Sequence, residues 1–347
     1  MIVGEHVPLA PLTTLGVGGP ARFLVQAQAQ AEVREAVQFA RDRGLSLFVL
    51  GGGSNLLVAD AGFNGVVLKI ALIGTERVDE GSRAIFTVAA GEDWDAFVAR
   101  TLETNCGGIE CLSGIPGSVG GTPVQTVGAY GQEVSETIRS VEVFDRQQME
   151  KKVFSNEECG FAYRASLFNT AERDRYIILR ATYVLRRGGK PAIRYPDLQK
   201  VFADMASPSL SQVRDAVREI RRKKAMLIVP GDDDSRSAGS FFKNPVVPLK
   251  QFAELDSMLR SRGHGLANFP AENGFRKLSA AWLVEHAGFA KGYSLGAAGI
   301  SRHHALAIVN RGGATAAEIV ALKDEIQARV RDQFGITLLP EPVLLGF

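Results

Sequence analysis

Several features that often direct the interpretation of a sequence are scarce in this chain. Its three cysteines, Cys106, Cys111 and Cys159, form no C-x-x-C pair, which argues against a zinc site or a disulfide framework and is typical of a reducing compartment. Forty basic and thirty-eight acidic residues leave a net charge of +2, so strong attraction to nucleic acid or membrane is not expected. No apolar run reaches about eighteen residues, and the chain does not open with a basic segment followed by an apolar one. These absences predict a cytoplasmic protein.

Familiar nucleotide and metal motifs are missing as well. The chain has no Gly-Lys-Ser/Thr Walker loop, no G-x-G-x-x-G before a helix, no H-E-x-x-H and no G-x-S-x-G. The adjacent His303 and His304 would point apart on a helix or strand, so they make a poor pair of metal ligands. The sequence therefore predicts no metal site.

Glycine is abundant instead, with 37 residues. The stretch Leu50-Gly51-Gly52-Gly53-Ser54-Asn55-Leu56-Leu57 follows an apolar run and contains three consecutive glycines. Glycine permits positive φ and close approach of a ligand. Successive N–H groups in such a turn can form a nest for an anion, with Ser54 and Asn55 as further donors. The alternative is a tight turn that binds nothing.

A second glycine-rich segment covers residues 107–131, with eight glycines and two prolines. That density is incompatible with the interior of a regular helix or strand. The interleaved Ile109, Leu112 and Val119 argue against a disordered linker, because disordered segments lack apolar anchors. Long ordered loops inside compact domains are usually functional, so we expect this backbone to wrap around a ligand.

Hydrophobic periodicity predicts alternating helices and strands. We expect helices at 31–43, 94–104, 211–227, 248–262, 278–287 and 315–334. We expect strands at 46–50, 66–70, 85–90, 138–145, 177–186, 305–309 and 336–339. The segment 230–236 contains three consecutive aspartates, and we interpret it as an exposed linker at a domain boundary.

Four residues have side chains suited to chemistry, although each has an ordinary structural alternative. Ser240 precedes two aromatic residues, so its hydroxyl could donate a proton in a dry pocket or simply cap a turn. Arg164 could clamp a carboxylate or form a surface ion pair. Glu341, between two prolines, could be a positioned acid or a solvated carboxylate. The fourth, Lys224, belongs to a basic face of the helix at 211–227. That face holds Arg221, Arg222, Lys223 and Lys224.

Five motifs, in this order, resemble those of the bacterial UDP-N-acetylenolpyruvoylglucosamine reductases, a flavoenzyme family of peptidoglycan precursor synthesis. The motifs are Thr14-Leu15-Gly16-Val17-Gly18-Gly19, Leu50-Gly51-Gly52-Gly53-Ser54-Asn55, Ser113-Gly114-Ile115-Pro116-Gly117-Ser118-Val119-Gly120-Gly121, Tyr163-Arg164-x-Ser166 and Gly239-Ser240-Phe241-Phe242-Lys243-Asn244-Pro245. The first three are shared with a wider group of flavoproteins. The last two, with Pro340-Glu341, are specific to the reductases. The polar segment around Tyr195 resembles the one found in the subgroup that closes a tyrosine-bearing loop over the substrate.

The resemblance implies an α+β fold with α/β elements. It comprises a two-domain FAD-binding fold of the vanillyl-alcohol-oxidase/PCMH type and a C-terminal α+β substrate-binding domain. The implied FAD-binding subdomains are 1–70 and 71–230, the substrate-binding domain is 231–335, and residues 336–347 are candidates to return to the second subdomain. The implied ligands are non-covalent FAD, NADPH as co-substrate and UDP-N-acetylglucosamine enolpyruvate as substrate. We expect a monomer without nucleic-acid or membrane partners.

The resemblance also implies catalytic roles. Hydride would pass from NADPH to FAD, and then from flavin N5 to the vinyl carbon of the substrate. Arg164 and Glu341 would flank the substrate carboxylate, where Arg164 stabilises negative charge and a protonated Glu341 donates a hydrogen bond. Ser240 would supply the proton, assisted by Lys243 or Asn244.

The implied binding residues form two sets. Substrate would be bound by Tyr163, Tyr195, Lys224 and Asn244, of which the last three would hold the UDP diphosphate. FAD would be bound by Thr14, Gly51, Gly52, Gly53, Ser54, Asn55, Leu56, Ser113, Gly114, Ile115, Pro116, Gly117, Ser118, Gly120, Gly121 and Gly128.

The chain departs from the family pattern in two respects, and its sequence leaves two other functions open. Thr13 and Thr126 stand where the family often has asparagine, and the segment from Lys224 to Ser240 is unusually long and acidic. One alternative function is another oxidoreductase on the same flavin fold that acts on an alcohol or sugar. The other is a flavin- or nucleotide-sugar-binding module without catalysis.

Overall fold

The computed structural model describes residues 1–271 and 274–347 and divides them into two compact units. The N-terminal unit contains Met1–Val7, Ala21–Gly53 and Phe63–Leu227. The C-terminal unit contains Pro8–Pro20, Ser54–Gly62 and Ile228–Phe347. The segments 8–20 and 54–62 therefore group with the C-terminal third of the chain, and so do residues 336–347. The functional division at 1–70, 71–230 and 231–335 stays a prediction.

The regular elements of the described residues are numbered in chain order. The α-helices are α1 (Gln30–Asp42), α2 (Trp94–Glu103), α3 (Pro196–Val201), α4 (Leu210–Lys223), α5 (Leu249–Ser261), α6 (Ala280–His286) and α7 (Ala316–Phe334). The strands are β1 (Val3–Pro8), β2 (Pro20–Ala27), β3 (Leu47–Leu50), β4 (Leu56–Val58), β5 (Phe63–Ile70), β6 (Thr75–Glu80), β7 (Arg83–Ala89), β8 (Cys106–Gly107), β9 (Gly128–Ala129), β10 (Gln132–Glu133), β11 (Ile138–Asp145), β12 (Glu150–Ser155), β13 (Tyr176–Arg187), β14 (Val246–Pro248), β15 (Asn268–Pro270), β16 (Phe275–Leu278), β17 (Ser294–Leu295), β18 (Ala298–Ile300), β19 (Ile308–Asn310) and β20 (Val343–Leu345).

The N-terminal unit contains two main sheets. The first has the strand order β1-β2-β5-β3, and its strands β2, β5 and β3 are parallel. Helix α1 buries Val33, Ala36, Val37 and Ala40 at the spacing of one helical face. The second sheet is antiparallel in the order β12-β11-β13-β7-β6, and β8 also pairs with β13.

Helix α2 is anchored by a cluster of aromatic rings. Trp94 and Phe97 of this helix are fully buried and lie 5.8 Å and 5.2 Å from the ring of Tyr183 on β13. Tilted aromatic contacts at these distances add to the stabilisation from burial. This cluster fixes the first turn of α2, which is hydrogen-bonded to Leu112 and Gly114.

The described residues of the C-terminal unit form small sheets and three α-helices. Its sheets have the orders β14-β16-β15 and β17-β18-β19, and β20 pairs in parallel with β4. Helix α7 begins with a capping box of Thr315 and Glu318 and ends at Gly335, whose φ is 66°. Its apolar face joins a core that includes Leu15, Leu57 and the buried Phe241 and Phe242.

The structure confirms the predicted helices within a few residues at their ends, and most of the predicted strands. The strand predicted at 336–339 is wrong, because this segment alternates buried and exposed residues without joining a ladder, and pairing occurs at β20 instead. The strand expected at 305–309 lies at Ile308–Asn310. The linker expected at 230–236 is not exposed throughout. Asp234 is buried there, in a 3₁₀ turn over Asp233–Ser235.

Candidate active site

The glycine loop begins directly after β3, one of three parallel strands in the N-terminal unit. Because β2, β5 and β3 run in the same direction, their carboxyl ends meet along one edge of the sheet. Open α/β sheets bind ligands outside the carboxyl ends of their strands. A cavity of about 570 Å³ lies at this edge, lined among others by Gln26, Lys69, Gly51 and Gly117.

The absence of side chains at Gly51 and Gly52 lets two loops touch. A Cβ atom on Gly51 would stand 2.7 Å from Ser118 Oγ, and one on Gly52 would stand 2.5 Å from the Cα of Gly117. Gly53 has a φ of 66°, in the region that glycine occupies without strain. The two predicted cofactor loops are thus brought together. Their bare backbone against a cavity fits the pyrophosphate of a dinucleotide such as FAD.

Four polar side chains in the lining of this cavity were missed by sequence reasoning. They are Gln26, Gln28, Lys69 and Asp93. Gln26 and Lys69 stand at the ends of parallel strands, a position that becomes a signal only once the strand order is known. Asp93 caps helix α2 by accepting a hydrogen bond from the Ala96 N–H at 2.8 Å.

The remaining residues of the 113–121 loop differ in their hydrogen bonds, in their burial and in whether a side chain would fit. Ser113 is buried, and its hydroxyl donates to the Glu110 carbonyl at 2.7 Å, so it supports the loop itself. A Cβ on Gly120 would come within 2.7 Å of the Ala90 Cβ, so glycine is required there. A Cβ on Gly121 would meet nothing within 4 Å. The half-buried residues of the loop include Ile115 and Pro116.

Four predicted cofactor residues belong to the C-terminal unit: Thr14, Ser54, Asn55 and Leu56. The Thr14 hydroxyl donates to the Ser237 carbonyl at 2.6 Å. The Asn55 side-chain amide donates to the Glu341 carbonyl at 3.2 Å, and the Asn55 carbonyl accepts from the N–H of Val343. Leu56 is buried at the start of β4. Thr14 and Asn55 therefore anchor the segments that precede Ser240 and contain Glu341.

Arg164 is oriented by the end of the second glycine-rich segment. Its Nη1 and Nη2 atoms donate to the carbonyl oxygens of Thr126 and Gly128 at 3.2 Å and 2.9 Å. Its guanidinium lies 5.5 Å from the ring of the exposed Tyr163, a cation–π distance. These hydrogen bonds orient the guanidinium, a planar donor whose geometry matches that of a carboxylate.

Tyr195 and Lys224 come together at the start of α3. The Lys224 Nζ donates to the Asp197 carboxylate at 2.8 Å and lies 5.9 Å and 6.0 Å from the ring centroids of Tyr195 and Tyr130. The two tyrosine rings pack edge to face, 5.3 Å apart. Burial works against the charge of Lys224, but the hydrogen bond to Asp197 and the nearby tyrosines outweigh it and raise its pKa. Lys224 is therefore cationic at neutral pH.

Arg221, predicted to belong to a basic face of its helix, instead points into the N-terminal unit. Its side chain is buried, Nε donates to the Gly114 carbonyl at 3.1 Å, and the guanidinium also reaches the Met226 carbonyl. Burial lowers its pKa, and Tyr130 partly offsets that effect. Apolar periodicity cannot detect an inward arginine, since its long stem can lie along either face.

In the C-terminal unit, an antiparallel contact brings the segment after Ser240 beside Glu341. Phe242 pairs with Pro340, and the N–H of Glu341 donates to the Phe241 carbonyl at 2.9 Å. Both phenylalanines are buried, so they anchor the half-buried Ser240. The segment after Ser240 and the segment of Glu341, far apart in the sequence, are thus paired with each other.

Asn244 has a structural contact that the sequence did not reveal. Its Oδ1 accepts a hydrogen bond from the N–H of Ala280 at 2.9 Å, in the first turn of α6. Ser279 caps the same helix by accepting from the N–H of Trp282. The side chain of Asn244 is therefore held in place by the start of a helix.

Comparison with known proteins gives two matching family models and several close relatives. The FAD binding domain model matches residues 21–148. The model of the UDP-N-acetylenolpyruvoylglucosamine reductase C-terminal domain matches residues 231–345. A UDP-N-acetylenolpyruvoylglucosamine reductase from Thermobifida fusca is 46% identical over 352 residues, which cover 99% of this chain and 98% of the relative. The chain belongs to the UDP-N-acetylenolpyruvoylglucosamine reductase family, MurB.

Other MurB proteins support the same assignment. The reductase from Streptomyces coelicolor is 45% identical over 349 residues, covering 99% of this chain and 90% of the relative. The crystal structure of MurB from Thermus caldophilus matches with a TM-score of 0.67 at 27% identity, over 99% of each chain. The predicted combination of an FAD-binding fold with a C-terminal substrate-binding domain of the reductases is confirmed, and so is FAD as the cofactor.

Three further properties of this MurB chain concern the residues that the structure describes, 1–271 and 274–347. None of their helices is long and apolar enough to cross a membrane. They contain no group of three or more His, Cys, Asp or Glu side chains able to hold a metal ion. The three cysteines are buried thiols, and burial raises the pKa of Cys159 to about 12.

Proposed function

We propose that this chain reduces UDP-N-acetylglucosamine enolpyruvate to UDP-N-acetylmuramate in peptidoglycan precursor synthesis, with NADPH as the reductant. The observation that carries the proposal is the presence of an FAD-binding part and the reductase C-terminal domain in one chain, at 46% identity over almost its full length. Bound FAD would supply the redox chemistry, which is hydride transfer between NADPH and the vinyl group of the substrate.

The carboxyl edge of the first sheet would hold FAD. Gly51, Gly52 and Gly53 would present their N–H groups to the pyrophosphate, against the wall formed by Gly117 and Ser118. The close approach of these loops supports this role, because it leaves bare backbone at the cavity. The positive charge of Lys69 in the same lining favours an anionic group.

The catalytic residues would stabilise the negative charge that develops on the substrate and donate a proton to it. Reduction of the vinyl group leaves negative charge on the neighbouring carbon and on its carboxylate. Arg164 would stabilise that charge, because hydrogen bonds to the Thr126 and Gly128 carbonyls fix the orientation of its guanidinium. A protonated Glu341 would donate a hydrogen bond to the carboxylate, and Ser240 would protonate the carbon, with Lys243 or Asn244 assisting.

Recognition of the nucleotide would fall to residues around α3 and the start of α6. Lys224, Tyr195 and Asn244 would hold the UDP diphosphate, and Tyr163 would lie beside the substrate. Since Lys224 is already paired with Asp197, the diphosphate would take the place of that carboxylate. The polar segment around Tyr195 supports the proposal that this chain belongs to the subgroup that closes a tyrosine-bearing loop on its substrate.

The proposal includes a cytoplasmic monomer that acts on small molecules rather than on nucleic acid or membranes. The net charge of +2 supports this choice of partners, because strong attraction to polyanions needs an excess of basic residues. Sedimentation of the purified protein measures the oligomeric state directly.

An anaerobic absorbance titration tests the function. We expect the purified protein to show oxidised flavin bands that bleach with NADPH and recover when UDP-N-acetylglucosamine enolpyruvate is added. Bleaching without recovery would rule out this substrate while leaving a flavin reductase. A preparation that contains no flavin and takes up none would overturn the assignment of the glycine loop.

A further inference from the structure

The first turn of α2 holds the 113–121 loop at several consecutive points. The indole Nε1 of Trp94 donates to the Leu112 carbonyl at 3.0 Å, and the Trp94 N–H donates to the Gly117 carbonyl at 3.1 Å. Between these points, the N–H of Gly114 donates to Asp95 Oδ1 at 2.6 Å. The helix therefore fixes the backbone of the loop that would bind FAD.

The carboxylate of Asp95 also receives two arginines from α4. Arg214 binds it in a bidentate manner, at 2.6 Å and 2.9 Å, and Arg218 donates to Oδ2. Burial opposes ionisation, but the hydrogen bonds from Arg214 and from the Gly114 N–H outweigh it and lower the pKa of Asp95. The position of Asp95 in the first turn of a helix further favours its negative charge.

Both polar groups of the Gly114 backbone, the N–H and the carbonyl, are hydrogen-bonded to side chains. Asp95 accepts from its N–H, while Arg221 of α4 donates to its carbonyl oxygen at 3.1 Å. Its φ is 72°, and a Cβ there would stand 2.9 Å from the Leu227 side chain and 3.4 Å from that of Arg221. The glycine is thus enclosed by α4 and by the segment that follows it.

We propose that Asp95 is a positioning residue that locks the Gly114 peptide to α4 and thereby couples the FAD-binding loop to the helix that ends at Lys224. Arg214, Arg218 and Arg221 recur every three or four residues, so they lie on one face of α4. Lys224 is the C-cap residue of the same helix. Loss of the negative charge weakens the hydrogen bond from the Gly114 N–H and leaves the arginines to repel one another. This inference rests on the proposed role of the 113–121 loop in FAD binding.

The test uses the full chain with Asp95→Asn, a substitution that keeps the size of the side chain and removes its charge. We expect the dissociation constant for FAD, measured by flavin fluorescence on reconstituted apoprotein, to rise about tenfold, because the Gly114 N–H and the arginines lose their charged acceptor. At saturating FAD, we expect KM for the nucleotide substrate to rise while kcat changes by less than about twofold. An FAD dissociation constant within about twofold of wild type would overturn the proposal.

Two further variants separate positioning from general stability. Asp95→Asn/Arg214→Gln removes one uncompensated cation, so its urea midpoint should recover towards wild type while FAD affinity stays low. Recovery of FAD affinity together with the midpoint would overturn the proposal, because the carboxylate would then serve only to neutralise the arginines.

Asp79→Asn removes a matched Asp–Arg pair on β6, with Arg77 at 2.7 Å, and should bind FAD as wild type does. Failure of the wild-type chain itself to bind FAD would contradict the proposed function instead.

Discussion

The side-chain amide of Asn55 donates a hydrogen bond to the main-chain carbonyl of Glu341 over 3.2 Å. A residue predicted to bind the cofactor thus supports a residue predicted to act in catalysis, within one unit. We expect Asn55→Ala to slow reoxidation of the reduced flavin by substrate about fivefold, since a neutral hydrogen bond contributes about 1 kcal/mol. Stopped-flow absorbance measures this step, with the exposed Asn64→Ala as the control. Loss of flavin from purified Asn55→Ala would show that contact with the cofactor dominates.

Removal of the Ser240 hydroxyl should separate the two half-reactions. The buried Phe241 and Phe242 hold the backbone of this segment, so Ser240→Ala should fold normally and oxidise NADPH at the wild-type rate. The second half-reaction should slow by about 10²–10⁴-fold, the usual contribution of a positioned general acid. Stopped-flow traces with each ligand measure the two steps. Wild-type turnover by this variant would exclude Ser240 as the proton donor.

A single methyl group should disrupt the contact between the two glycine-rich loops. A Cβ on Gly52 would stand 2.5 Å from the Cα of Gly117, so Gly52→Ala should force the loops apart and weaken FAD binding by at least about tenfold. Gly265→Ala is the matched control, because a Cβ there meets nothing within 4 Å. Fluorescence titration of the apoproteins compares the two, and equal affinities would contradict the proposed cradle.

The ion pair of Lys224 with Asp197 should compete with the substrate diphosphate. Both side chains are more than one third exposed, so the pair contributes less than about 1 kcal/mol. Asp197→Asn should therefore lower KM for the nucleotide substrate by no more than about fivefold and leave kcat unchanged. Lys224→Met should raise the same KM. A raised KM in Asp197→Asn would mean that Asp197 orients Lys224 rather than competing for it.

The carboxylate of Asp145 should make the free energy of unfolding decrease at acidic pH. Its buried carboxylate accepts from Arg175 at 3.0 Å and from Lys152 at 3.1 Å. Burial opposes ionisation, but these partners and the N–H groups of Gln147 and Gln148 hold the pKa of Asp145 well below its usual range. A depressed pKa in the folded state contributes stability above the unfolded pKa of about 3.9, and that stability is lost as pH falls below it.

Substitution of Asp145 measures this contribution. Asp145→Asn should lower the free energy of unfolding at pH 7 by about 2 kcal/mol, less than for a fully enclosed pair because Lys152 is 30% exposed. Its stability should also decline less than that of wild type between about pH 4 and pH 2. Urea unfolding across pH measures both effects. Asp174→Asn, on the exposed surface, should behave as wild type does, and parallel acid profiles for wild type and Asp145→Asn would contradict the prediction.

Much of the fold follows from local sequence patterns. The apolar spacing within α1 and α7 and the glycines at their ends identify these helices, because helix formation depends on residues three and four apart and on their caps. The two glycine-rich loops are recognisable for a similar reason, since positions such as Gly52 and Gly120 leave no room for a Cβ atom. The motifs around Arg164, Ser240 and Glu341 likewise mark their residues without any knowledge of the structure.

The sequence by itself therefore determined the family, the cofactor and most of the helices, because those signals are local. Only the tertiary structure decided which distant residues meet. It turns Arg221 inward onto Gly114, places Asp95 between that glycine and Arg214, and sets Lys69 at a cavity edge. These contacts depend on strand order and helix packing over long sequence separations, and no periodicity along the chain encodes them.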